Sequence, residues 1–260
     1  LRRLFILDGG QIEIRPIQYA VNALLVTLLL AAIFLLAYQS LDYNMRWDQV
    51  WEYRLNFVQG FLMTILISAL SMVLSLIIGV ISGVGQGSRF IVFRMLSKFY
   101  VEVIRGTPLL VQILVFYYVV ANALGIDERY TVGIIIMSMF AGAYTGEIIR
   151  SGIDNVAASQ LESARSIGLT NAQTYRYIII PQVITRILPP LTGQFASLIK
   201  DSSLLSVIAI REFTMAAREV NANTFSTLES YLPLAIGYLM LTLPISLISR
   251  NLEKKFRYDT

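Results

Sequence analysis

Six stretches of this 260-residue chain are apolar for long enough to cross a lipid bilayer, and no other feature restricts the fold as strongly. A hydrocarbon core about 30 Å thick takes roughly 20 apolar residues of helix. The stretches are residues 17–39, 57–83, 97–124, 130–149, 191–210 and 231–248. In hydrocarbon every backbone N–H and C=O must be bonded within the protein, and an isolated run of this length meets that demand as a helix. The expected fold is an all-α membrane protein of about six transmembrane helices. Composition agrees: only 15% of residues are charged, against about 25% in soluble domains. Two stretches carry polar interruptions, Arg105-Gly106-Thr107-Pro108 in the third and Lys200-Asp201-Ser202-Ser203 in the fifth. Those two read as helices lining something polar.

Positive charge orients the spans, because Lys and Arg are retained on the cytoplasmic side. With the N-terminus inside, 14 of the 21 basic residues fall in cytoplasmic segments, among them Arg2, Arg3, Arg15, Lys254, Lys255 and Arg257. Five lie outside, and Arg105 and Lys200 lie within spans. Both termini are therefore expected in the cytoplasm, and an odd number of spans would scatter the imbalance. The same bias accounts for the net charge of +4 without a nucleic-acid partner. Residues 1–15 show no cleavable-signal pattern, since the apolar run behind them is too long for a signal-peptide core.

Cysteine and histidine are both absent. That removes thiol nucleophiles, disulfides, Cys/His zinc sites and Ser–His catalysis. The sequence also has no Gly-x4-Gly-Lys-Ser/Thr phosphate loop, so the chain is not expected to hydrolyse ATP unaided. Gly79, Gly83, Gly85 and Gly87 cluster without a following lysine, and Gly79-x3-Gly83 reads as a small-residue face for helix packing. No catalytic residue, metal ligand set or cofactor is assigned to this chain.

Most connections are short, but residues 150–190 separate the fourth and fifth spans, which is long for an unstructured loop. Ser159-Gln160-Leu161-Glu162 fits a capping box, in which Ser159 starts a helix and Glu162 reaches back to its free amide. Gly168 can adopt the left-handed conformation that ends a helix. Thr170-Asn171-Ala172-Gln173 is a second box, opening a helix through Tyr175, Tyr177 and Ile180 to Pro181. Local chemistry thus specifies helix, glycine turn, helix. The plainer alternative is a solvated loop with two incidental caps.

At this point the sequence resembles the membrane subunits of ABC importers. Their cytoplasmic signature is Glu-Ala-Ala, three residues, Gly, nine residues, then Ile-x-Leu-Pro. It stands here as Glu162-Ser163-Ala164, Gly168 and Ile178-Ile179-Ile180-Pro181, with the spacing intact. Ser163 replaces an alanine and Ile180 the leucine. The segment from Glu102 through Arg105, Thr107 and Pro108 to Gln112 is similar to the polar amino-acid branch of that family. So are Glu147-Ile148-Ile149-Arg150-Ser151-Gly152-Ile153, Leu188-Pro189-Pro190-Leu191 and Ile199-Lys200-Asp201-Ser202-Ser203-Leu204.

The resemblance implies a five-helix type I permease core over residues 57–250 and a cytoplasmic tail over 251–260. Residues 1–56 would add a cytoplasmic segment, one extra helix and an external loop with Trp47 and Trp51. It places the helix–turn–helix in a cleft of a separate ATPase subunit, present in two copies, which holds ATP and Mg. Glu162, Ser163, Ala164, Arg165, Gly168 and Leu169 are the implied coupling contacts. Further implied partners are a second permease chain, identical or related, an extracytoplasmic amino-acid-binding protein and the amino-acid substrate. The expected location is the bacterial inner membrane.

Ionisable groups within spans are costly and usually mark a polar cavity. Lys200, Asp201 and Ser202 are accordingly one candidate group for the substrate path, and Glu102, Arg105 and Thr107 a second. Lys200 and Asp201 could instead neutralise neighbouring helices, and Glu102 and Arg105 could pair with each other at i,i+3. Glu147 and Arg150 repeat that spacing near the cytoplasmic edge, where a structural salt bridge fits better. A secondary transporter would also need broken spans, often with two similar halves, but no repeat is evident here and it would not require a capped helix pair. An intramembrane Ser–Lys enzyme would rest on Ser202 near Lys200 alone.

Overall fold

Helices account for every regular element in the computed structural model, which describes residues 16–39 and 43–257. Arg2, Arg3 and Arg15 lie outside the described residues, as does the end of the tail beyond residue 257. The chain divides into two units, Leu1–Arg46 and Trp47–Thr260. The first contains helix α1, Pro16–Gln39, whose apolar residues favour no side. Proline suits its first position, where the missing N–H would have no helical partner. This helix is long and apolar enough to cross a membrane.

In the second unit the chain forms a short helix α2 (Trp47–Glu52), where a loop was expected, and then the long α3 (Arg54–Gln86). After α4 (Ile91–Gly106) the chain turns sharply into α5 (Leu109–Val115), which continues as a π-helical segment, Phe116–Ala121. Helix α6 (Arg129–Asp154) follows, capped by the Glu128 carboxylate, which accepts from the Tyr130 and Thr131 amides. Hydrogen bonding from Thr131 holds that carboxyl below its usual range. Next come α7 (Ala158–Ser166), α8 (Asn171–Thr174), a π-helical segment (Tyr175–Ile179) and α9 (Ile180–Asp201). A 3₁₀ segment, Ser202–Ile208, then α10 (Phe213–Thr224) and α11 (Thr227–Arg257) complete the unit.

Four helices are individually long and apolar enough to span, α1, α3, α6 and α11, and the bent pair α4–α5 supplies a fifth if counted as one. The remaining expectation needs correction. The fifth stretch begins earlier than residue 191, since α9 is already formed at Ile180, and its α geometry ends at Asp201, at the polar interruption seen in the sequence. Pro181 was read as closing the second loop helix, yet it sits in the first turn of α9. The residues before it are already helical, so the helix runs on through the π segment, whose wider turn precedes the proline that cannot donate.

Packing centres on α3 and α6. In lipid, apolar surface alone gives helices no reason to associate, so close van der Waals approach has to do so. One face of α3 is a buried seam of Gly60, Thr64, Ser68, Ser71, Ser75, Gly79, Ser82 and Gly83. Opposite it, α6 offers Ser138, Gly142, Thr145 and Gly146. A Cβ placed on Gly79 would lie 2.6 Å from Thr145 Cβ, and one on Gly83 would lie 2.7 Å from the Gly146 carbonyl oxygen. Ser71 Oγ donates across the seam to the Ile134 carbonyl at 3.4 Å. Ile67, Ile113, Met137, Leu198, Leu205 and Ile210 join α3, α5, α6, α9 and the 3₁₀ segment in one apolar cluster.

Gly79→Val is expected to destabilise the chain by about 1–3 kcal/mol, because backbone and Thr145 must both give way. Gly106→Ala, which meets nothing within 4 Å, should change stability by less than about 0.5 kcal/mol. Thermal unfolding of both variants in one detergent checks the contrast.

Candidate functional site

The helix–turn–helix loop is held by apolar contacts at its base. Val156, Ile179 and Val183 are buried together, with Ile153, Leu161 and Ile187 packed against them. This cluster decides where α7 begins. Ala157 is the N-cap, in extended conformation and with no side-chain cap, so the helix starts before Ser159. The expected Ser159–Glu162 capping box therefore does not form. Val156 just before the cap and Leu161 in the second turn occupy the positions of a hydrophobic staple, and their burial outweighs the hydroxyl cap.

The far end of α7 follows the expectation. Gly168 has φ +78°, the Leu169 amide donates to the Ala164 carbonyl and the Gly168 amide to the Arg165 carbonyl, both at 3.0 Å. That bond pair is the Schellman arrangement, which the absence of a Cβ at Gly168 permits. The second capping box is present: Thr170 Oγ1 accepts from the Gln173 amide, and the Thr170 amide donates to Gln173 Oε1 at 2.9 Å.

Behind the turn, a cleft of ≈ 410 Å³ runs between α7 and the start of α9, lined by Gln160, Ala164, Ile167, Tyr177 and Pro181 among others. Gln182 donates to Gln160 across it, and Arg186 donates to the Asn155 carbonyl, tying the loop to α9. Ala164 is only 1% exposed, so it faces its own chain. Glu162, Ser163, Arg165 and Gly168 are exposed, and Leu169 is half-buried. Sequence reasoning passed over Ile167, which is 75% exposed at the tip, and the exposed rings of Tyr175 and Tyr177. An isoleucine between two polar caps was the signal that could have drawn attention to it.

The first candidate path group lies where α4 meets α5 at 108°. Arg105 does not pair with Glu102. It reaches Glu147 of α6 at 3.7 Å and stands 5.3 Å from the centre of the Tyr144 ring. Adjacent turns explain this, because burial of Val101 and Ile104 against Ala143 turns α4 toward α6. Glu147 is shared: Arg150 bonds it at 2.6 Å and also Asp154 at 2.5 Å. The Thr107 hydroxyl donates to the Val103 carbonyl at 2.9 Å and accepts from Gln112 at 2.8 Å. It is therefore engaged by its own chain.

In the second group, Ser202 is fully buried and donates to the Ile199 carbonyl at 2.8 Å, at the switch from α to 3₁₀ geometry. Lys200 is exposed and Asp201 half-buried. Among the described residues neither forms an ion pair, so the structure leaves both charges available while it uses Ser202 to finish the helix.

Residues 75–258 match the family described as binding-protein-dependent transport system inner membrane component. The Escherichia coli (strain K12) glutamine transport system permease protein GlnP is 37% identical over 161 residues, covering 61% of this chain and 73% of that one. A Bacillus subtilis (strain 168) protein named "Probable glutamine ABC transporter permease protein GlnM" is 38% identical over 170 residues, covering 64% and 79%. A crystal structure of an amino acid ABC transporter with histidines superimposes with a TM-score of 0.76 at 33% identity, over 82% of this chain and 100% of that one. The MetNI methionine ABC transporter shares the fold, with a TM-score of 0.61 at 15% identity over 76% and 96% of the two chains.

Gly168→Ala puts a Cβ into the left-handed region at a cost of about 1 kcal/mol. Amide exchange at Leu169 should accelerate about fivefold in consequence. Thr170→Ala, which removes the cap, should act similarly on Gln173. Hydrogen-exchange mass spectrometry reads both.

Proposed function

The chain belongs to the family of binding-protein-dependent transport system inner membrane components, and on that premise we propose that it forms the translocation path of an ATP-driven importer for polar amino acids. The observation that carries this reading is the helix–turn–helix between α6 and α9, anchored at its base and presented at its tip. Glutamine is the first substrate to test, because two relatives are named for it.

In this reading Ile167, with Glu162, Ser163, Arg165, Gly168 and Leu169 around it, enters a cleft of the partner ATPase. Ala164 acts from behind, since a larger side chain there would push α7 away from α9. ATP and Mg are held by two copies of the ATPase, a second permease chain completes the path, and an extracytoplasmic binding protein delivers substrate. Both termini face the cytoplasm, as the distribution of Lys and Arg favours. Residues 57–250 make up the permease core and residues 251–260 its tail.

Arg105, Glu147, Lys200 and Asp201 are the charged groups best placed to meet an amino-acid zwitterion, with Glu102 exposed nearby on α4. Thr107 and Ser202 contribute through the backbone breaks they complete rather than through free hydroxyls.

The test is co-expression with the ATPase encoded beside it, purification in lipid discs, and measurement of ATP hydrolysis with L-glutamine-loaded binding protein. Wild type should assemble and be stimulated. Gly168→Asp and Ile167→Asp should yield folded permease with stimulation reduced at least about tenfold, the scale expected for a central interface residue. A chain that purifies without an ATPase, and is indifferent to both substitutions, would exclude the coupling role and favour a self-contained transporter.

A further inference from the structure

Pro108 removes a donor from the polypeptide where the third span breaks. In an unbroken helix the amide of residue 108 would bond to the carbonyl of Ile104, four residues earlier. Proline has no N–H to give, and a carbonyl left bare in hydrocarbon is costly. The structure supplies another donor. Gln112 Nε2 lies 2.7 Å from the Ile104 carbonyl oxygen, 3.0 Å from the Thr107 carbonyl oxygen and 2.8 Å from Thr107 Oγ1. Both carbonyls can only accept, so the NH₂ end of the amide must face them. Gln112 is buried, 5% exposed. Its own amide bonds to the Pro108 carbonyl at 3.1 Å, the first backbone bond of α5.

We propose that Gln112 is a positioning residue for transport: it stands in for the missing Pro108 donor and thereby holds the α4–α5 break at the angle that aims Arg105 toward Glu147 and Tyr144. The proposal rests on the permease reading above. Arg105 sits in the last turn of α4, two residues before the break starts at Thr107. A change in the bend that loosens the last turn of α4 would move its guanidinium relative to α6, where Glu147 lies 3.7 Å away and the Tyr144 ring centre 5.3 Å away. Thr107 closes the arrangement, donating to Val103 while accepting from Gln112, so a single side chain on α5 governs three acceptors on the α4 side.

The chain lacks cysteine, so paired cysteines introduced at the exposed Val92 and Val119 report the bend by spin-label distance in the assembled transporter. Gln112→Met keeps the volume and removes the donor. It should shift or broaden that distance and raise KM for L-glutamine uptake about tenfold, while leaving the amount of assembled complex and its basal ATP hydrolysis near wild type. A role limited to stability would do the reverse, lowering yield with KM unchanged. Gln112→Asn keeps an amide donor on a side chain one methylene shorter, so it should raise KM less than Gln112→Met does.

An unchanged distance and KM in Gln112→Met would overturn the proposal. If Gln112→Met fails to assemble, an assembled Gln112→Asn with a shifted distance and raised KM supports the donor role, and an assembled Gln112→Asn with both unchanged refutes it. Should the wild-type complex take up no L-glutamine, the substrate reading is what fails, and the spin-label distance still decides the role of Gln112.

Discussion

Close approach between α3 and α6 is the constraint on which the remaining packing depends. Lipid tails are as apolar as leucine, so these helices are held by contact rather than by escape from water. Contact at this distance requires the glycines and serines of the seam, because a methyl group at Gly79 or Gly83 would overlap its neighbour. The same device recurs where other helices join the pair. Phe93 of α4 lies against Gly85, Ala216 of α10 against Gly60, and Ile187 of α9 against Gly152. Phe213, at the start of α10, fits the space left by Gly237 of α11 and meets the rings of Phe61 and Tyr238.

A second constraint acts wherever the chain leaves α geometry. Each departure frees backbone groups, and at three of them a nearby polar side chain meets the need. Gln112 serves the carbonyls before Pro108, and Ser202 serves Ile199 at the end of α9. Glu212 caps α10, accepting from the Thr214 and Met215 amides at 2.8 Å, and its carboxylate also accepts from the Tyr238 hydroxyl at 3.0 Å. Outside the α3–α6 seam, the polar residues singled out within or near the spans thus fall into two sets. Those already saturated by the backbone build the breaks. Arg105, Lys200 and Asp201 retain exposure or unused bonding capacity, which the proposed substrate path would need.

The loop between α6 and α9 obeys a different logic, since it is shaped by its own residues. Apolar residues at its base, Val156, Ile179 and Val183, fasten it to α9, while Gly168 and the Thr170–Gln173 box complete the turn internally. In the coupling role proposed above, such a loop would dock without first folding onto its partner, which removes an ordering cost from association.

Much of this protein is legible in the sequence because the physical rules involved are local. Apolar length specified α1, α3, α6 and α11, four-residue spacing marked Gly79 and Gly83 as a packing face, and the glycine between two polar clusters located the turn at Gly168. The break at Pro108 was visible for the same reason, since proline lacks its donor in any context. Other features depended on distant partners. The Ser159 box yielded to burial of Val156 against residues more than 20 positions away, and α9 began at Ile180 because the segment before it ran on as helix. Arg105 was free by sequence to pair with Glu102, and the tertiary arrangement around α4 brought it to Glu147 instead. Gln112 stood in a recognised motif, yet its task emerged only when folding brought its amide to the Ile104 carbonyl. Sequence determines which groups must find partners, because valence is a property of the residue. Tertiary structure decides which partners they find, because that is a matter of distance.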